Sequence, residues 1–278
     1  MTSSVMEAFL KRDRLVIIIA LAVITVISWY YIVFLSSEMK TPNMAAMPGM
    51  SGMSNMPAMS NMSDSYHTMA MPTTEHWSAY EFLMMFVMWS VMMVAMMLPS
   101  AAPLLLLFAS INRKRQQQNN PYVSTSYFLA GYLLVWAGFS IAATGLQWLF
   151  QYFRLLSPMM VTTNAVAGSI ILFGAGIFQF TPLKNKCLTR CRTPIDFVTR
   201  HWKEGSVGAL RMGLEHGSFC LGCCWILMCV LFVTGIMNVL WIALISFFVL
   251  LEKVVPKGLI VSRIAGIVLI VNAVWLLI

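Results

Sequence analysis

Apolar stretches long enough to cross a lipid bilayer recur along this chain, and no other feature constrains its fold as strongly. A hydrocarbon core of roughly 30 Å takes about 20 helical residues. Runs of that character lie near residues 15–35, 79–109, 122–150, 163–182, 208–236, 238–252 and 259–278. Apolar residues make up 59% of the chain and charged residues 10%, whereas a soluble domain carries about 25% charged residues; a soluble fold is excluded. The alternating short periods of a lipid-facing barrel are absent, so the expected fold is an all-α integral membrane protein of about seven transmembrane helices.

The basic residues predict its orientation. Of 18 Lys and Arg, three precede the first run, three are Arg113, Lys114 and Arg115, seven lie between Lys184 and Arg211, and three are Lys253, Lys257 and Arg263. Only Lys40 and Arg154 remain for the opposite side. Cytoplasmic flanks are enriched in Lys and Arg, which places the N-terminus in the cytoplasm and, with an odd number of spans, the C-terminus outside. The net charge of +8 then reflects topology in a multi-pass protein of the cell's inner (plasma) membrane, and no nucleic-acid partner is implied. The first run extends to Leu35 without a small-residue cleavage site, so it reads as an uncleaved span.

Three parts follow: residues 1–35 with the first span, an extracytoplasmic loop at 36–76, and a six-helix membrane core at 77–278. The loop is low in complexity and should be disordered without metal. Within it Met44, Met47, Met50, Met53, Met56, Met59 and Met62 follow one another at a spacing of three. Polyproline II has three residues per turn, so that conformation lines all seven thioethers along one edge. Thioether sulfur selects Cu(I), and Ag(I) with it. It also forms no disulfides in an oxidising compartment. His67 and His76, with Asp64, add harder ligands suited to Cu(II). The plain alternative is a flexible linker, which has no use for seven exposed, oxidisable methionines.

The second span carries Met84, Met88, Met92 and Met96 at a spacing of four, a slowly drifting stripe that is either core packing or a relay of weak sulfur ligands. Pro99 and Pro103 in the same span predict a bend at Leu98–Pro103. The fifth span holds Glu215, His216, Cys220, Cys223 and Cys224. His216, Cys220 and either Cys223 or Cys224 are three or four apart and project from one face across two turns. The candidate metal set is therefore His216, Cys220, Cys223 and Cys224, with Glu215 as a source of charge and Met88, Met92 and Met96 supplying sulfur from the second span. Cu(I) is the expected ion, with Zn(II) the alternative that thiolates also suit. Gly213, Gly217 and Gly222 permit close helix approach. Six cysteines with none in an outside segment argue for reduced thiols. Cys187 and Cys191, set among Lys and Arg in a basic loop at 183–207, are an exit ligand pair, a redox pair or ordinary loop thiols.

The stretches MWSVMMVAMMLPSAAP, GLEHGSFCLGCCWILM and GIMNVLWIALISFFVLLEK resemble a bacterial family described as predicted metal-binding integral membrane proteins. That resemblance covers the second to seventh spans and leaves the first span and the Met-rich loop as an added front end. It implies that Met92, Met96, Met97, Pro99, Pro103, Glu215, His216, Cys220, Cys223, Cys224, Glu252 and Lys253 are motif members. The function expected is Cu(I) capture outside and binding within the bundle, for transport or for delivery to a partner cuproenzyme or metallochaperone. The alternatives are a copper-dependent membrane oxidoreductase, disfavoured by only four His in the chain, and a structural subunit of a membrane complex. No Walker A loop is present.

Overall fold

The structure, a computed structural model, describes residues 2–40, 77–118, 123–156, 162 and 164–278, with the side chains of 2–14, 39, 40 and 117 left aside. The Met-rich loop, with Met44 to Met62, His67 and His76, lies outside the described residues. Ten helices follow in order: α1 Thr2–Lys40, α2 Ala79–Gln117, α3 Thr125–Tyr152, α4 Ala165–Phe178, α5 Pro182–Arg192, α6 Pro194–His201, α7 Gly205–Cys229, α8 Leu231–Thr234, α9 Val239–Val254 and α10 Gly258–Trp275.

Each of the seven apolar runs falls on a helix, but among the described residues five helices are long and apolar enough to cross a membrane: α1, α2, α3, α7 with α8, and α10. A sixth crossing is available if α4 and α5, bent by 63° at their junction, form one broken span. At 1.5 Å per residue, the 14 residues of α4 rise about 21 Å and the 16 of α9 about 24 Å, short of a hydrocarbon core.

The local sequence explains several boundaries. Ser78 caps α2 in a reciprocal capping box with Glu81. Asn164 caps α4 through the Val166 and Ala167 amides, and Asn238 caps α9 after a tight turn from Gly235, whose φ is 100°. The helix α2 runs without a break through Pro99 and Pro103, the stretch for which the sequence predicts a bend. The basic segment 183–207 is more ordered than its composition predicts. Thr181 caps α5 and Pro182 occupies its first turn, a strong start signal, and α6 follows almost at once.

The helix α3 packs on both α2 and α7 at the centre of the bundle, α1 packs on α2, α4 pairs with α10, α5 packs on α7, and α9 packs chiefly on α2 and α10. Glycine sets the approach of α3 and α7. A Cβ at Gly131 would meet the Leu210 carbonyl, and one at Gly213 the Phe128 carbonyl. Packing of small residues is a main source of helix association where lipid offers no hydrophobic driving force. Buried polar side chains pair across helices as well, as where Trp89 Nε1 donates to Gln147 Oε1 at 2.7 Å.

Candidate metal centre

Cys220, Cys223 and Cys224 of α7 lie inside the bundle, and all three are at most 1% exposed. The Cys223 and Cys224 thiols both donate to the Cys220 carbonyl, at 3.0 and 2.9 Å. Cys224 Sγ lies 4.0 Å from Met97 Sδ. The Cys220 sulfur is the polar focus of the group. Tyr132 Oη of α3 lies 3.2 Å away while also donating to the Met97 carbonyl at 3.1 Å, and Lys253 Nζ of α9 lies 3.0 Å away while donating to Ser100 Oγ at 2.8 Å. Four helices thus contribute to one buried sulfur.

The other expected ligands are distributed differently. His216 is buried one turn from Cys220, with its ring between Phe128, Tyr132 and Phe197 and its Nδ1 without a hydrogen-bond partner. The Tyr132 side chain, stacked on His216 and bonded to Cys220, joins the imidazole to the sulfur group. Glu215 does not join it. Successive helical residues diverge by about 100°, and Glu215 instead pairs with Lys203 and, at 3.7 Å, with Arg211. Met88, Met92 and Met96 are all buried in the core, as packing requires. Met97, adjacent to the stripe, is the methionine whose sulfur meets a cysteine. Met88 lies nine residues before it, roughly 13 Å along the helix axis.

Lys253 and Tyr132 were not among the candidate ligands that spacing picks out. Lys253 belongs to the basic residues that flank spans, but its ammonium turns inward. One signal was available: a lysine directly after Glu252 at the end of an apolar run. Glu252 is itself buried and forms an ion pair with Lys184 of α5 at 2.6 Å, both side chains at most 1% exposed. Lys184 also bonds Gln179 Oε1, which accepts from Ser262 Oγ at 3.0 Å. This network ties α5, α9 and α10 together immediately beside the sulfur group.

Among the described residues, no three His, Cys, Asp or Glu side chains already surround a common point at metal-binding distance. The arrangement is a set of free thiols with one ammonium beside it. No curated protein and no solved structure matches the chain. A family model does match residues 86–276, well over half of the chain and the whole of this sulfur-bearing bundle, and the protein belongs to the family it describes, the PpoB2 copper chaperones.

Proposed function

We propose that this chain captures Cu(I) outside the cell membrane through Met44 to Met62, with His67 and His76 receiving Cu(II), and holds Cu(I) within the bundle for delivery to a partner cuproenzyme or metallochaperone. The bundle ligands are the thiols of Cys220, Cys223 and Cys224, with Met97 sulfur and the His216 imidazole at the margins. The observation that carries this reading is the burial of three thiols together, with the Met97 thioether beside Cys224 and the Lys253 ammonium beside Cys220. An ion in a low-dielectric interior needs its charge balanced. Cu(I) with two thiolates carries −1, which the Lys253 ammonium neutralises. Zn(II) with the same two thiolates would leave the ammonium uncompensated, so the charge arrangement favours the monovalent ion. Loading requires Cys223 and Cys224 to release the Cys220 carbonyl, and thiol protons leave as metal binds.

The orientation that suits this role has the N-terminus and the basic face of α5 and α6 in the cytoplasm. Metal analysis with redox state tests the reading on purified protein. The full chain should bind several Cu(I), a chain with the seven loop methionines replaced by Leu should retain one, and adding Cys223→Ser and Cys224→Ser should remove it while the protein stays helical and inserted. Stoichiometric copper in that last variant would place the site elsewhere and leave these cysteines as packing residues.

A further inference from the structure

The basic segment that reads as a loop in the sequence brings a fourth cysteine to the sulfur group. Cys187 and Cys191 are one turn apart on α5 and share a face, and that face lies along α7. Cys187 Sγ is 2.9 Å from where a Cβ on Gly222 would stand, so a larger residue there would displace the thiol. Arg190 covers the Phe219 ring at 4.7 Å. Cys191, on the same face of α5, is packed against the buried core along α7, beside the turn that carries Cys220 and Cys223. The register of α5 is fixed from its other end by the buried Lys184–Glu252 pair and from beyond its last turn by Arg192, which donates to the Val255 and Pro256 carbonyls at 2.5 and 2.6 Å.

Exposure separates Cys191 from its partners. Cys220, Cys223 and Cys224 are at most 1% exposed, whereas Cys191 is of intermediate burial, among the basic residues Arg190 and Arg192. A copper ion bound only to the sealed thiols offers no side from which an acceptor can approach. One bound also to Cys191 does.

We propose, on the basis of the copper reading above, that Cys191 is the exchange ligand of the bundle centre: it joins Cu(I) to the α7 thiols, and an incoming thiolate from the acceptor replaces it. In that step the acceptor thiol loses its proton and forms a Cu–S bond, the Cu–S bond to Cys191 breaks, and the Cys191 thiolate takes up the proton. Copper stays Cu(I) throughout. The acceptor class this selects is a thiol-bearing carrier or apoenzyme that reaches the basic face.

The test uses the full-length chain with its seven loop methionines replaced by Leu, loaded with one equivalent of Cu(I). In this protein, copper should protect Cys191 from alkylation and leave Cys229, a half-buried thiol at the end of α7, as reactive as before loading. Cys191→Ser should slow transfer to a dithiol peptide by at least the roughly tenfold that even outer-shell changes at metal sites produce. Cys229→Ser should transfer at the parental rate. Unchanged Cys191 alkylation on loading, or parental transfer by Cys191→Ser, overturns the proposal while leaving the bundle centre intact. A parent that is folded and binds no Cu(I) overturns the copper reading itself, and this inference with it.

Discussion

An ammonium held 3.0 Å from the Cys220 sulfur sets the charge available to any ion bound there. Removing it with Lys253→Met should weaken Cu(I) binding by roughly 10- to 100-fold, taking a hydrogen bond to a charged group as about 1.5–3 kcal/mol. The same change should raise the Zn(II):Cu(I) affinity ratio, which competition between the two ions measures; an unaltered ratio would remove Lys253 from the charge balance. Tyr132→Phe leaves Cys220 without its hydroxyl partner and should cost about 1 kcal/mol of stability, read from thermal unfolding in detergent. Cys220 and either Cys223 or Cys224 were legible because the 3.6-residue period puts residues three or four apart on a common face. Lys253 was not, because a lysine at the end of an apolar run ordinarily extends its ammonium toward the interface, and only tertiary packing shows that this one turns toward sulfur.

At the level of elements, α5 depends on a buried ion pair. Breaking such a pair by removing one partner costs about 3–5 kcal/mol, because the other charge stays buried and uncompensated. Glu252→Gln should therefore destabilise the protein by an amount of that order and loosen α5, seen as faster alkylation of Cys187 and Cys191. Replacing Lys184 and Glu252 together with Met should recover most of the stability. A single variant as stable as the parent would show that the pair is hydrated and not structural. The glycines facing neighbouring helices could be read from the sequence, since small residues mark close packing. The helix α5 could not, because its lysines and arginines suggest a solvated connector, and the bend at Gln179–Thr181 divides what looks like one apolar run from a polar helix that is nonetheless packed inward. Met97 was named by the family resemblance and not by spacing: a spacing of four favours Met96, while the contact with Cys224 depends on how α2 is rotated against α7.

For the whole molecule, the helical class and the recurrence of long apolar helices follow from composition, whereas the number of helices able to cross a bilayer depends on α4 and α9, which are short for one. A topology reporter at Ile278 is expected outside; a cytoplasmic signal there would reverse at least one span and put the basic face of α5 on the wrong side for delivery to a cytoplasmic acceptor. The central claim, that the bundle holds Cu(I) by sulfur, is tested most directly by X-ray absorption at copper on the full-length chain with its loop methionines replaced by Leu. One Cu(I) per chain is expected in a shell of two or three sulfurs, lost when Cys223 and Cys224 are both Ser. Copper bound mainly by nitrogen or oxygen, or a sulfur shell that survives the double substitution, would contradict it.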